Sequence, residues 1–517
     1  MTNIREKLKQ ADKEQEEKQK IKNAVPNSNQ ELFSILKQAG EKRRKEKEYT
    51  PKRGVNTGKT MRPRLTVREI TNILEKYATF KVIGDDETEL SKAPLYWYDI
   101  DNGIYIKDER KIFELMNYVD NEVLTKGRNE IYNKLIIESA KSSRTKDKNL
   151  VIVNNGIFDR KCNSLIPFDS KFVFTNKIST NYSENANQEP VFSGWSVSKW
   201  FKEIADGQED KLKLLWQVIY ASIDTNTNHE AAIFLIDDQR GRTGKSTFEL
   251  LIENLVGKDN CGHLKLEEFE NDFKLALADS KAVIIGDDNK INNFNEDSSN
   301  FKSLVTGETM LINPKKLKPY YNRFNCLVIQ SMNGVPRFGD STDAHLRRIK
   351  ILKFNHKYEV TPENRKIKED YINRKELREW LLYKALHSPK VTNFITTKES
   401  EQATHEIKED NNAVYYFVNE YVSELQSTRL PVKFLFNYFM ACMDRENNHQ
   451  KIKRRTFTKE IKLIMTDRGW NYQRKNLSPL NFFDKSDVKK LDRADINYKY
   501  RFDYDDNYNK CQPLFER

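Results

Sequence analysis

The apolar run Ile233-Phe-Leu-Ile-Asp-Asp238 passes into Gln239-Arg-Gly-Arg-Thr-Gly-Lys-Ser-Thr247 and then into the helix-like stretch Phe248 to Leu255. A strand, a glycine-bearing loop and a helix in direct succession constrain the fold more than any other stretch, because together they make a β-loop-α unit around a phosphate-sized concavity. In such a loop successive backbone N–H groups point inward, the Lys ammonium reaches the β and γ oxygens, and the following hydroxyl ligates Mg²⁺. The candidate nucleotide ligands are therefore Arg240, Gly241, Arg242, Thr243, Gly244, Lys245, Ser246 and Thr247, with ATP as the nucleotide and Ser246 as a metal ligand. The motif prefers Gly five residues before Gly244, where this chain has Gln239, and Gly241 is available to supply the turn. A Gly-Lys-Ser tripeptide alone also arises by chance; the strand before it and the helix after it supply the context the motif needs.

A second apolar strand, Lys281-Ala-Val-Ile-Ile-Gly-Asp-Asp288, ends in two carboxylates. A continuous apolar run suits a strand buried on both faces of a parallel sheet, whose carboxyl edge is where ligands bind. Asp287 is then a candidate for holding Mg²⁺, and Asp288 for orienting the attacking water. Read in isolation, the same segment is a strand running into a polar turn. A third strand, Cys326-Leu-Val-Ile-Gln-Ser-Met-Asn333, ends in an amide placed to sense a γ-phosphate, although Asn at a strand end is commonly a turn former. Arg347 and Arg348 precede the apolar stretch Ile349 to Phe354. A planar guanidinium reaching a neighbouring subunit's nucleotide would stabilise charge developing in phosphoryl transfer, Arg347 ahead of Arg348; paired surface charges are the plainer alternative.

Composition sets the outer bounds. The 517 residues suffice for three or four domains. No run of about 18 apolar residues is present, which excludes a helical membrane span, and the N-terminus lacks an apolar signal core. We expect a cytoplasmic protein. Five dispersed cysteines form no CxxC pair and read as reduced thiols. The net charge of +12 favours a polyanionic partner, or a solvated basic surface.

Five segments follow along the chain. Residues 1–60 carry 16 Lys/Arg against 9 Asp/Glu and read as a basic arm, disordered except for a possible amphipathic or partner-docked helix within Ile21 to Gly40. Residues 61–190 mix helices (Val67 to Tyr77, Lys111 to Leu124) with strands (Leu95 to Ile100, Leu150 to Val153), as in a small α+β domain. Residues 191–230 form a helical bridge, 231–405 the nucleotide-binding α/β core, and 406–517 a C-terminal domain. In the last, helical stretches Asn412 to Leu425, Val432 to Asp444 and Arg455 to Asp467 precede Gly469-Trp-Asn-Tyr-Gln-Arg-Lys-Asn476, which reads as a β-hairpin wing. That order is a winged helix. Arg455, Lys459 and Lys462 would face DNA from the third helix, and Arg474 and Lys475 from the wing; a protein-docking winged helix is the alternative.

With these elements in order, residues 90 to 480 resemble the superfamily 3 helicases, in the branch of phages, plasmids and genomic islands related to poxvirus primase-helicases. The most specific stretch is Asn325 to Phe354, where Ser331-Met-Asn-Gly-Val-Pro-Arg-Phe-Gly-Asp340 followed by Asp343-Ala-His-Leu-Arg-Arg348 is similar to the family's Asn-x-x-Pro and Arg-Arg pattern. Leu95-Tyr-Trp-Tyr-Asp-Ile-Asp-Asn-Gly-Ile-Tyr105 and Asn154-Asn-Gly-Ile-Phe-Asp159 are similar to its N-terminal domain. The resemblance implies an AAA+ ring, usually a hexamer, with Lys245, Ser246, Asp287, Asp288 and Asn333 from one subunit and Arg347 from the next. It also implies that Asn313-Pro-Lys-Lys-Leu-Lys-Pro319 is a pore hairpin whose Lys315, Lys316 and Lys318 contact single-stranded DNA. Without it, that segment is a basic turn. The implied activity is ATP-driven unwinding by a mobile element's replication initiator, with double-stranded DNA at an origin as a further partner. A primase domain is not expected: Asp99 and Asp101 form an Asp-x-Asp pair, but the chain has no His before His229. Two other classes remain, an ATP switch that binds DNA without unwinding it and a DNA-binding initiator with a degenerate ATPase.

Overall fold

The apolar run that enters the glycine loop, 232–236, is an inner strand of a five-stranded parallel sheet, and the run that leaves the loop is a helix beside it. The computed structural model describes residues 25–237, 241–290, 299–315, 317–334, 346–446, 452–477, 484–503 and 510–517. The sheet has the order β14-β8-β13-β10-β9, built from β8 (Ala232–Ile236), β9 (Cys261–His263), β10 (Val283–Asn289), β13 (Leu327–Met332) and β14 (Ile349–Lys353), and every neighbouring pair is parallel. All residues of β8 and β13 are buried, as continuous apolar strands covered on both faces must be. Helix α8 (Lys245–Val256) buries Phe248, Leu251, Ile252, Leu255 and Val256 in the core beside the sheet. The expected helical bridge is two helices, α6 (Val197–Ala205) and α7 (Glu209–Ser222), and these share that core with α10 (Lys375–Leu386). The chain is a mixed α/β protein with a parallel sheet.

Ahead of this core lies a second sheet of order β3-β2-β1-β4, from β1 (Phe80–Ile83), β2 (Leu95–Asp99), β3 (Ile104–Ile106) and β4 (Ala140–Ser142). Helices α1 (Asn29–Glu46), α2 (Val67–Tyr77), α4 (Glu109–Val119) and α5 (Thr125–Glu138) pack on it, and the short α3 (Glu87–Ser91) follows β1. An antiparallel meander of β5 (Leu150–Val153), β6 (Gly156–Asp159) and β7 (Ser164–Ile166) connects it to the core through Val151, Val153 and Phe158.

Helix α1 coincides with the amphipathic helix expected within Ile21 to Gly40 and runs on to Glu46, into the stretch expected to be disordered. Leu32, Ile35, Leu36 and Gly40 are buried at i, i+3, i+4 and i+8, one stripe of an otherwise charged helix. At Gly40 the backbone approaches α4 so closely that a Cβ would lie 1.9 Å from the Val119 carbonyl oxygen. Each buried leucine contributes roughly 1.5–3 kcal/mol, which helps offset the ordering cost of the helix. Residues 1–24 lie outside the described residues.

By contact density the chain divides into two compact units, and the second comprises chiefly Glu399–Arg517. Its three-stranded antiparallel sheet has the order β15-β17-β16, from β15 (Arg429–Pro431), β16 (Asn471–Leu477) and β17 (Lys510–Glu516). Helices α11 (Val432–Arg445) and α12 (Arg454–Asp467) bury Phe434, Leu435, Phe439, Phe457 and Ile461 with Leu514 and Phe515. Helix α13 (Lys485–Ala494) lies between β16 and β17 in sequence. The expected hairpin over 469–476 is therefore corrected: this stretch is one strand, and its partner is 510–516. Among the described residues no helix is long and apolar enough to cross a membrane.

Candidate functional site

At the carboxyl end of β8 the chain enters the glycine loop through Asp237, which is 1% exposed. Its Oδ2 accepts hydrogen bonds from Gly241 N (2.7 Å), Thr243 Oγ1 (3.0 Å) and Lys245 Nζ (2.8 Å). One buried carboxylate thus gathers the loop and its lysine. Gly244 caps α8 at φ 97°, a left-handed conformation that glycine adopts without Cβ strain, and no side chain caps the helix N-terminus. Such a terminus carries partial positive charge and suits an anion. Gln239 and Arg240 lie outside the described residues.

The other motif residues converge on the same edge. Lys245 Nζ also donates to Asn333 Oδ1 at 2.9 Å, joining the loop to the residue after β13. Ser331 Oγ donates to Asp287 Oδ1 at 2.9 Å and accepts from Asp288 N at 3.3 Å. The register of β10 against β13 shifts between Gly286 and Asn289, and Asp288 takes φ 53°. Both carboxylates are exposed on this bulge rather than ending the strand, which continues to Asn289. Asn289 holds the bulge from inside, donating to Gly286 O (2.8 Å), Gln330 Oε1 (3.0 Å) and Ser331 O (3.1 Å).

A cavity of about 570 Å³ opens here, within the range of small-molecule sites. Its lining includes Gly241, Arg242, Thr243, Gly244, Lys245, Ser246, Thr247, Asp287 and Asp288. These residues fit Mg²⁺ with a triphosphate: a lysine, a hydroxyl and exposed carboxylates line one cavity beside a helix N-terminus. Arg347 and Arg348 sit in a 3₁₀ turn just before β14, and neither lines this cavity of its own chain.

Four residues unremarked in sequence belong here. Arg365 and Lys368 line the cavity from α9 (Pro362–Glu369), and Lys368 Nζ donates to Ser246 Oγ at 3.0 Å. Asp237 is the first polar residue after the β8 apolar run, a signal that can be read. Glu249 is 5% exposed within the apolar stripe of α8, another readable signal, and its Oε1 has no hydrogen-bond partner among the described residues. Burial, and next the charge of Asp287, push the Glu249 carboxyl up to about 8.

The lysine-bearing segment is the turn of a hairpin. Strands β11 (Thr309–Ile312) and β12 (Tyr320–Arg323) pair antiparallel, and Lys315 and Lys318 are exposed between them; Lys316 lies outside the described residues. In the C-terminal unit Arg455, Lys459 and Lys462 line one groove with Arg454, Thr458 and Tyr472, and Lys462 Nζ sits 4.5 Å from the Tyr472 ring centroid. Arg474 and Lys475 lie outside that groove; Lys475 Nζ pairs with Glu516 Oε2 at 2.7 Å across the sheet. Asp99 accepts from Asn102 N at 3.1 Å and Asn29 Nδ2 at 2.7 Å, and Asp101 from Asn29 N at 3.1 Å, so both serve the turn and the start of α1.

Residues 239–348 match a family described as of unknown function (DUF5906), and residues 409–500 match the family described as Poxvirus D5 protein-like. The C-terminal segment is thus similar to poxvirus D5 proteins, in agreement with the resemblance above. No curated protein matches. Among solved structures, the chain is similar to the apo structure of the NrS-1 C-terminal region at 13% identity, covering 80% of this chain and 96% of that one, with a TM-score of 0.43. Two A-form apo structures of the same region are similar at 10% identity, covering 77% and 83% of this chain and 86% and 90% of those, with TM-scores of 0.42 and 0.41.

Proposed function

We propose that the chain is an ATP-dependent DNA helicase of the superfamily 3 type and the replication initiator of a mobile element. The observation that carries this reading is the meeting of Lys245, Asn333, Ser331 and Asp287 at one edge of a parallel sheet, where the phosphate loop opens a nucleotide-sized cavity. The Poxvirus D5 protein-like match over residues 409–500 supports the helicase class.

In this reading Lys245 and the α8 N-terminus bind the β- and γ-phosphates. Ser246 and Asp287 would hold Mg²⁺, which neutralises phosphate charge. Asp288 positions the attacking water, and Asn333 holds Lys245 toward the γ-phosphate. The core is AAA+, its sites lie between subunits of a ring, and Arg347 reaches the next subunit's nucleotide, consistent with its absence from its own cavity. The hairpin lysines grip single-stranded DNA. The C-terminal unit is a winged helix whose α12 groove contacts duplex DNA, with a wing built from β16 and β17.

The test is the ATPase rate of purified protein with and without single-stranded DNA, for wild type and Lys318→Ala. Stimulation that the substitution removes supports a motor; hydrolysis indifferent to DNA favours an ATP switch, and no hydrolysis rejects both.

A further inference from the structure

The hairpin that carries Lys315 and Lys318 leaves its base inside a buried polar network shared with the N-terminal sheet. Tyr320 and Asn322 alternate inward on β12, 8% and 4% exposed. Tyr320 OH donates to Asp279 Oδ2, and Asn322 Nδ2 donates to Asp279 Oδ1 at 3.1 Å. The Asp279 carboxylate is 6% exposed. From the N-terminal side, Lys107, which follows β3, pairs with Asp279 and donates to Tyr320 OH at 2.6 Å. Arg144, which follows β4, donates through Nη2 to Asn322 Oδ1 at 2.5 Å and through Nη1 to Asp85 Oδ2 (2.8 Å) and Glu89 Oε2 (3.2 Å). A more exposed rim repeats the arrangement: Asp86 Oδ2 accepts from Arg323 Nη2 at 3.1 Å and from Thr309 Oγ1 at 3.3 Å. Lys92 lies 5.4 Å from the Tyr321 ring centroid.

Lys107, Arg144, Asp86, Glu89 and Lys92 each touch the first or last pairs of the hairpin ladder, Thr309 with Arg323 and Ile312 with Tyr320, or the strand between them, and Asp85 braces Arg144. Buried charges that lose a partner are left uncompensated, so such a network holds its members in one geometry. Two antiparallel strands alone are marginal in water, and this hairpin needs a support. We propose that Lys107 and Arg144 are positioning residues for the hairpin, clamping its base to the N-terminal domain so that the domain sets where the lysine-bearing tip is presented. The consequence for DNA rests on the function proposed above; the clamp itself does not.

Hydrogen exchange of the full chain tests it, comparing wild type with Lys107→Met and Arg144→Met, which keep an apolar stem in place. Arg323→Ala, at the more exposed rim, serves where a buried substitution prevents folding. The clamp predicts that amides of 309–323 exchange at least about tenfold faster, while those of β8 and β13 are unchanged. Unchanged hairpin exchange, or a uniform increase that includes β8 and β13, would overturn it. In the same variants, affinity for a single-stranded oligonucleotide should fall by about tenfold, as for Lys318→Ala, although neither residue is part of the tip. Wild type that binds no single strand would sink the helicase reading and leave the exchange result to decide the clamp.

Discussion

Lys245 Nζ and Asn333 Oδ1 lie 2.9 Å apart, so the lysine of the glycine loop is held between the end of β13 on one side and Asp237 on the other. Two oxygen acceptors from neighbouring strands fix a flexible four-carbon stem in one direction, and only one of them carries full charge. Removing the neutral partner should therefore leave the lysine anchored but free to swing. Asn333→Ala is expected to lower ATP turnover by about a hundredfold while changing ATP affinity by less than about threefold, the pattern of a lost transition-state contact. Lys245→Ala should abolish both. Equal losses of affinity and turnover in Asn333→Ala would count against this division of labour.

Lys368 reaches Ser246 Oγ at 3.0 Å from a helix of the same chain, which places an exposed cation beside the hydroxyl assigned to Mg²⁺. Its charge should add to the attraction for a nucleotide phosphate. Lys368→Ala is expected to weaken ATP binding by about tenfold, measured by calorimetry, and Lys366→Ala, which does not line the cavity, to leave it unchanged. If both substitutions act equally, the effect is only general surface charge.

Local signals made the core readable and long-range ones did not. Strand β8, the glycine loop and α8 each announce themselves within a few residues, and the apolar runs of β8 and β13 end at the polar groups that meet Lys245. Lys368 is 122 residues from Ser246, on a helix of sequence Pro-Glu-Asn-Arg-Lys-Ile-Lys-Glu that reads as a solvated face. Strand β16 reads as a whole hairpin in sequence because its partner begins only at Lys510, beyond an intervening helix. The apolar stripe of α1 is legible within Ile21 to Gly40, but its last turns, Glu41 to Glu46, carry only charged residues, and some of those charges are themselves engaged.

Glu69 shows how. It closes the capping box of α2 with Thr66 and receives Lys47 Nζ at 2.7 Å and Arg43 Nη2 at 3.0 Å, tying α1 and its following residue to α2. Burial works to raise its pKa, but Lys47 and the Thr66 amide and hydroxyl outweigh it and hold the carboxyl at about 2, below its ordinary 4.5. A folded-state pKa below the unfolded one stabilises the fold above the unfolded value, and that contribution is lost as pH falls from about 4.5 to about 2. Melting curves across this window should show wild type losing stability faster than Glu69→Gln, whose curve starts lower at neutral pH. Parallel curves would mean that Glu69 does not carry the acid sensitivity.

The two basic groups of the C-terminal unit differ in what already occupies them. Arg455, Lys459 and Lys462 face an open groove, whereas Lys475 is committed to Glu516, which Arg429 also engages at 2.6 Å. A cation paired within its own sheet must give up that pair before it can neutralise a phosphate, so its net gain on DNA is small. Arg455→Ala should weaken duplex binding similarly for all sequences and reduce the slope of log K against log salt by about one, as expected for one lost phosphate contact. Lys475→Ala should leave that slope unchanged. It should also alter the melting temperature only slightly, because an exposed ion pair contributes about 0–1 kcal/mol. A salt slope that drops for Lys475→Ala and not for Arg455→Ala would move the DNA contact from the α12 groove to the β16–β17 edge.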